Sequence, residues 1–183
     1  MNRRFLPVIL MFLATALLVG CSSSDTHEAD ASSTVKQTAG YPQAAAGGPT
    51  FEFTATDLEG NLHRSEEWIG KQPVVLNFWG TWCPPCRREI PDLVKVYNEF
   101  QDQGVAMLGL TILRRETPAD VQSVADQYGM DWQMLIAKDN LLMKYQITGV
   151  PTTFFLDREG KIQQVFVGPR GYSEFKQAFQ AIL

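Results

Sequence analysis

The chain has 183 residues, of which 45% are hydrophobic and 20% are charged. That length and composition indicate one globular domain with short appendages and exclude a collagen-like or wholly disordered chain. The formal net charge is −4, from 16 Lys and Arg against 20 Asp and Glu, so the chain lacks the basic balance typical of nucleic-acid-binding proteins. Three cysteines are too few for a disulfide scaffold, and two histidines far from them leave a structural zinc site without ligands.

The first twenty residues have the pattern of a signal peptide. Two arginines near the start precede an apolar segment over residues 5–19. At about 15 residues this segment is short for a membrane-spanning helix, which needs roughly 20. It ends in Leu-Val-Gly directly before Cys21. We therefore predict a signal peptide over residues 1–20.

The Leu-Val-Gly-Cys ending resembles the lipobox of bacterial lipoproteins. The resemblance implies that Cys21 carries diacylglycerol and becomes the new, acylated amino terminus. Acyl chains would anchor the protein stably, since each buried methylene contributes about 0.8 kcal/mol. The alternative is an uncleaved signal anchor in which Cys21 has no role. Residues 21–48 are rich in Ser, Ala, Gly and Thr with little apolar periodicity, which predicts a flexible tether.

The predicted domain spans residues 49–183, and its first half alternates strands with helices. Alternating apolar residues at 51–53, followed by a turn at 57–61, predict an amino-terminal hairpin. The continuous apolar run at 74–79 predicts a strand buried on both faces, and a second such strand is predicted at 105–112. Between them lies a helical stripe formed by Ile90, Leu93, Val94, Tyr97 and Phe100.

The second half of the domain continues this alternation. Thr117 as a cap, with Pro118 and Asp120 after it, predicts a helix start, and Gly129 predicts the end of that helix. Short elements follow: a strand at 134–136, a helix at 141–145, hairpin strands at 153–156 and 162–167, and a last helix capped by Ser173. This order predicts an α/β fold with a mixed central sheet flanked by helices.

A pair of cysteines separated by two prolines stands between the first buried strand and its helix. Cys83 is placed at the helix amino terminus, where free amide groups and the helix dipole favour a thiolate. Cys86 follows by about one helical turn, a spacing compatible with a disulfide. We expect Cys83, at the exposed end, to attack substrate disulfides and Cys86 to resolve the mixed disulfide. The alternatives are a purely structural disulfide and half of a metal site.

Residues 77–91, which contain the two cysteines, and residues 149–154 together resemble the thioredoxin superfamily. Within it they resemble the membrane-anchored TlpA/ResA-like thiol-disulfide oxidoreductases. The resemblance implies a thioredoxin-like fold with an extra αβ unit inserted within residues 117–145. It also implies that the Cys83–Cys86 disulfide is itself the redox group, with no further cofactor and no metal.

The same resemblance implies roles for residues around the cysteines. Pro151 corresponds to the cis-proline of the superfamily, and with Val150 and Thr152 it would form a loop that binds the substrate. Trp82 is a candidate wall of the site. Glu89 matches an acidic residue of the ResA-like group, and a carboxylate there could accept the proton of the second cysteine. The alternative for Glu89 is an ordinary position on the helix surface.

These features lead to one preferred function and three alternatives. We expect a lipid-anchored disulfide reductase facing the periplasm or extracytoplasmic space, with apocytochrome c and oxidatively damaged proteins as candidate substrates. The family implies a membrane electron donor of the CcdA/DsbD type, and we expect a monomeric domain that binds no nucleic acid. The alternatives are a disulfide-forming oxidant, a thiol peroxidase and a non-catalytic thioredoxin-like binding lipoprotein.

Overall fold

The structure is a computed structural model that describes residues 51–183. Within this range seven strands form one mixed sheet in the order β2-β1-β5-β4-β3-β6-β7. The strands are β1 (Thr54–Asp57), β2 (Leu62–Arg64), β3 (Val74–Trp79), β4 (Ala106–Thr111), β5 (Gln133–Ile136), β6 (Thr152–Leu156) and β7 (Ile162–Val167). The central strands β3, β4 and β5 are parallel, and the remaining pairings are antiparallel. The sheet is therefore mixed, as predicted.

Four α-helices of the described range cover this sheet. They are α1 (Pro84–Phe100), α2 (Pro118–Tyr128), α3 (Asp139–Lys144) and α4 (Tyr172–Gln180). The predicted cap of α2 is confirmed: the Thr117 hydroxyl accepts a hydrogen bond from the amide of Asp120, and Gly129 ends the helix in a left-handed conformation. Helix α2 and strand β5 lie within the segment predicted to hold the inserted αβ unit.

Strand alternation decides which side chains of β3 face which helix. Leu76 and Phe78 face a core that also contains α3, whereas Val75 faces the core formed with α1 and α4. Leu93 of α1 and Phe179 of α4 are fully buried in that second core. Burying one such side chain contributes roughly 1.5–3 kcal/mol. Because side chains alternate along a strand, the odd-numbered positions of β3, including Asn77, point toward α1.

The start of the first strand, the cap of the last helix and the core stripe of α1 differ from the prediction. The first strand begins at Thr54 instead of at 51, since Thr54 is the first residue paired with β2 and the buried Phe51 and Phe53 precede it. The final helix is capped by Gly171, because the Glu174 carboxylate accepts a hydrogen bond from the Gly171 amide and closes the first turn there. The core stripe of α1 includes the fully buried Val96, which was not predicted.

The predicted signal peptide at 1–20 and the predicted tether at 21–48, including Cys21, lie outside the described residues. No helix within residues 51–183 is long and apolar enough to cross a membrane. The thioredoxin-like arrangement of the described domain agrees with the fold predicted for residues 49–183.

Candidate active site

Cys83 and Cys86 are joined by a disulfide at the start of α1, with their Cα atoms 5.3 Å apart. Cys83 is the N-cap residue of the helix and has an extended backbone. Its sulfur accepts a hydrogen bond from the Cys86 amide at 3.2 Å. Pro84 and Pro85 occupy the first helical positions, where a missing amide hydrogen costs no intrahelical hydrogen bond. The helix start therefore directs an amide hydrogen and its dipole toward the sulfur of Cys83, which favours a negative charge there.

The prediction that Cys83 lies at an exposed position was wrong. Cys83 is 2% exposed and Cys86 is 0% exposed. The Cys83 sulfur lies 3.6 Å from the carbonyl oxygen of Val150, a contact that becomes a hydrogen bond only when the sulfur carries a proton. The two sulfurs thus differ by position along the helix, and Cys83 is the one that faces the loop before β6.

That loop contains the predicted substrate-binding residues. The Val150–Pro151 peptide bond is cis. The carbonyl oxygen of Pro151 accepts a hydrogen bond from the Gly168 amide at 2.9 Å, and the Thr152 hydroxyl donates to the carbonyl oxygen of Gly149 at 2.8 Å. Val150 is half-buried, so part of this loop is open to solvent beside Cys83. The structure therefore brings Val150 to the disulfide, and Pro151 and Thr152 follow it where β6 begins.

Trp82, predicted as a wall of the site, packs half-buried against the cluster that contains both cysteines, and an arginine covers it. The Trp82 indole donates a hydrogen bond to the carbonyl oxygen of Ile112 at 3.0 Å. The guanidinium of Arg114 lies 3.6 Å from the centre of the indole ring, a cation–π contact. A side chain at Gly80 would place its Cβ 2.7 Å from the indole nitrogen, so glycine is needed for this ring position. Arg114 was not predicted as a site residue.

Glu89 is buried in the interior between α1 and the sheet. It is 2% exposed, which contradicts the alternative of a surface position. One carboxylate oxygen accepts a hydrogen bond from the Asn77 amide group at 3.2 Å, and the other accepts one from the backbone amide of Arg170 at 3.2 Å. The same Asn77 nitrogen donates to the Thr153 hydroxyl at 2.9 Å. No hydrogen bond joins Glu89 to either cysteine sulfur within residues 51–183.

Burial raises the pKa of Glu89 from its ordinary value of 4.5 to about 7, because the charged carboxylate loses its hydration. The hydrogen bonds from Arg170 and Asn77 and the charge of Arg170 act in the opposite direction and offset part of this effect. A carboxyl group with such a pKa can both hold and release a proton near neutral pH. The pKa of Glu89 thus suits proton transfer, while the predicted transfer to Cys86 stays a prediction.

The partners of Glu89 could not be found by sequence reasoning. Asn77 precedes Glu89 by 12 residues, Thr153 lies 76 residues from Asn77, and Arg170 lies 81 residues from Glu89. Asn77 and Thr153 are directly opposite in the pairing of β3 with β6, so their side chains share the face toward α1. The only available signal was the polar residue inside an otherwise apolar strand.

His63 belongs to a separate polar cluster on the amino-terminal hairpin. Its ring nitrogens lie 3.1 Å from a carboxylate oxygen of Asp57 and 2.9 Å from one of Glu67. Hydrogen bonds to Glu67 and then to Asp57 raise the pKa of His63. In the part of the chain that the structure describes, no group of three His, Cys, Asp or Glu side chains could hold a metal ion.

Comparisons with known proteins agree with this geometry. A sequence profile of the AhpC/TSA family matches residues 46–165. Thiol-disulfide oxidoreductase ResA of Geobacillus thermodenitrificans is 36% identical over 139 residues, which cover 75% of this chain and 78% of that protein.

Two solved structures are also similar. A thiol:disulfide interchange protein of the thioredoxin family from Chlorobium tepidum has a TM-score of 0.64 and 30% identity, covering 76% of this chain and 98% of its own. A secreted Mycobacterium tuberculosis disulfide oxidoreductase homologous to E. coli DsbE has a TM-score of 0.61 and 26% identity. The match covers 70% of this chain and 95% of that protein's chain.

Proposed function

Because the chain belongs to the AhpC/TSA family and is a homologue of the ResA thiol-disulfide oxidoreductases, we propose that it reduces disulfide bonds of other proteins outside the cytoplasm. The observation that carries this proposal is the Cys83–Cys86 disulfide, which caps α1 and faces the Val150–Pro151 loop. A purely structural disulfide has no need of a helix dipole directed at one sulfur or of a partly open loop beside it.

The reaction begins with the reduced pair. The Cys83 thiolate attacks one sulfur of the substrate disulfide, forms a mixed disulfide and releases the other substrate sulfur as a thiolate, which takes up a proton. The Cys86 thiolate then attacks the sulfur of Cys83 and releases the second substrate sulfur, which is also protonated. The substrate gains two electrons and two protons, and the protein ends with the Cys83–Cys86 disulfide.

Glu89 is the group proposed to manage the proton of Cys86. It lies three residues after Cys86 on α1, so the two side chains are on neighbouring turns of one helix face. Its raised pKa, about 7, allows it to be an acceptor when Cys86 must become a thiolate and a donor when the substrate leaves. Asn77 and the Arg170 amide hold the carboxylate in place.

The proposed location of the enzyme rests on the predicted amino-terminal signal. Lipid attachment at Cys21 would leave residues 21–48 as a tether of about 30 Å coil span between the membrane and the domain. The similar M. tuberculosis protein is described as secreted, which supports an extracytoplasmic site. A membrane electron donor of the CcdA/DsbD type is then the proposed source of electrons, with apocytochrome c or oxidised proteins as substrates.

The reduction potential of the Cys83–Cys86 pair tests the direction of the reaction. The full-length protein is equilibrated against dithiothreitol or glutathione, and the free thiols are counted by alkylation and mass measurement. We expect a value at or below about −270 mV, the value of thioredoxin. A value near that of a strong oxidant, about −120 mV, would make the protein a disulfide donor.

Two activity measurements separate the proposal from its alternatives. We expect the reduced protein to transfer two electrons to a protein disulfide, and the Cys83→Ser variant to transfer none. Fast consumption of peroxide by the purified protein would instead indicate a thiol peroxidase. The absence of any reversible dithiol couple would contradict both enzymatic functions and favour a non-catalytic binding protein.

A further inference from the structure

Two pairs of consecutive arginines follow the two central strands of the sheet. Arg87 and Arg88 follow β3, in the first turns of α1, and Arg114 and Arg115 follow β4. Because β3 and β4 are parallel and paired to their last residues, their carboxyl ends lie side by side. The four residues, here called the arginine rim, therefore follow the same end of the sheet as the disulfide, namely the carboxyl ends of β3 and β4.

Contacts tie two residues of the arginine rim, Arg114 and Arg87, to the active site. The guanidinium of Arg114 covers Trp82, the neighbour of Cys83. The backbone amide of Arg87 donates to the Cys83 carbonyl oxygen at 3.1 Å, and the Arg87 side chain extends to the hydroxyl of Tyr128 at 3.4 Å. All four arginine side chains are exposed. They are thus available to a molecule that approaches the cysteines.

The guanidinium groups of the arginine rim form no ion pairs with the rest of the described domain. Within residues 51–183, no carboxylate oxygen lies within 4.0 Å of any of the four guanidinium groups. Three carboxylates lie near the arginine rim in sequence but form no ion pair with its guanidinium groups. Glu116 accepts hydrogen bonds from the backbone amides of Arg114 and Arg115, Asp120 caps α2, and Asp92 lies about one helical turn after Arg88 on α1. Glu89 is buried, and Arg170 is paired with Glu174 at 3.1 Å.

This concentration of positive charge contrasts with the protein as a whole, which has more acidic than basic residues. We propose that the arginine rim binds acidic side chains flanking the target disulfide, so that the preferred substrate is a disulfide within an acidic polypeptide segment. This inference rests on the proposed reductase function and adds a substrate class to it. Guanidinium groups suit this task because they bind carboxylates in a bidentate manner and stay charged at every physiological pH.

Long-range attraction gives the expected size of the effect. Complementary charge raises association rates by 10-fold or more at low ionic strength, and salt removes this gain because the screening length is about 10 Å at 0.1 M and 3 Å at 1 M. The probes are three short peptides with one intramolecular disulfide, flanked by Glu, Ser or Lys. The full-length protein is reduced, freed of reductant and mixed with each peptide, and the single-turnover rate is followed.

We expect the Glu-flanked peptide to react roughly 10-fold faster than the Lys-flanked peptide at low salt. The rates should converge at about 1 M salt. Equal rates for all three peptides at low salt would overturn this inference and leave the reductase function intact. No reduction of any peptide would refute the proposed function and this inference with it.

A matched pair of double variants locates the effect. R88E/R115E reverses two charges of the arginine rim, and R158E/K161E makes the same charge change at exposed residues of the β6–β7 turn. That turn lies at the other end of the sheet, because β6 starts at the active-site loop and runs away from it. The readout for each variant is its rate with the Glu-flanked peptide divided by its rate with the Lys-flanked peptide. A general change in thiol reactivity affects both rates equally and cancels.

For R88E/R115E this ratio should fall to one or below. For R158E/K161E the logarithm of the ratio should stay at least half of its wild-type value. Equal loss of the ratio in both variants would overturn the inference, because net charge alone would then explain the preference. An unchanged ratio in R88E/R115E would also overturn it.

Discussion

The ionisation of Glu89 leads to a prediction about stability that the variant Glu89→Gln tests. The pKa of Glu89 is about 7 in the folded protein and has its ordinary value of 4.5 when burial is lost. Between these two values the unfolded chain has released this proton, while the folded protein still holds it. The free energy of unfolding therefore falls by about 1.4 kcal/mol per pH unit over this window, about 3 kcal/mol in all, and becomes level above pH 7.

The sign of this effect follows from the direction of the shift. A folded-state pKa above the unfolded value means that the contribution is fully present below pH 4.5 and is lost as pH rises to 7. His63, whose pKa is also raised, loses its own contribution as pH rises through its folded value. The quantity to compare is therefore the free energy of unfolding of Glu89→Gln minus that of the wild type at each pH. The contribution of His63 is the same in both proteins and cancels.

The assay is urea unfolding of the oxidised, full-length protein at several pH values from 5 to 8.5. Glutamine has no proton to release, so Glu89→Gln should gain about 2.5 kcal/mol relative to wild type between pH 5 and 8.5. The new amide also has an available partner, because the side-chain oxygen of Asn77 accepts no hydrogen bond within the described range. A constant offset between the two proteins is compatible with the prediction, since a lost hydrogen bond costs about 1 kcal/mol at every pH.

Glu159→Gln is the control, because Glu159 is exposed in the β6–β7 turn. This variant should follow the wild-type curve at every pH. If the curves of wild type and Glu89→Gln ran parallel from pH 5 to 8.5, burial would not hold a proton on Glu89. The proposed proton transfer would then lose its physical basis.

Three further predictions concern the cysteines and the core. Cys86→Ser should trap substrates as mixed disulfides with Cys83, visible on non-reducing gels, and a variant that still released reduced substrate would contradict the assignment of Cys86. Cys21→Ala should move the protein from the membrane fraction to the soluble fraction and stop the incorporation of labelled fatty acid. Leu93→Ala should lower the free energy of unfolding by about 2–5 kcal/mol, since the side chain is fully buried, whereas Leu62→Ala, at a position 57% exposed, should change it by less than about 0.5 kcal/mol.

Features decided by neighbouring residues could be predicted from the sequence. The apolar run at 74–79 has the bounds of β3, and the helix start at Thr117 has the predicted cap, because both depend on interactions within a few residues. The same holds for the placement of Cys83 at a helix amino terminus, which follows from a buried strand, a short turn and two prolines. Such local patterns determined the fold class and located the redox pair.

Tertiary structure alone decided the environment of that pair. The burial of Cys83 depends on the loop at Val150, 67 residues away, and the burial of Glu89 depends on strand pairing and on a loop 81 residues away. A helix-surface position and a buried one look alike in sequence when the covering residues come from distant segments. The sequence by itself therefore located the cysteine pair at a helix amino terminus and predicted that it carries the chemistry. The packing of distant segments determined the access to Cys83 and the pKa of Glu89, because burial and desolvation are properties of the whole fold.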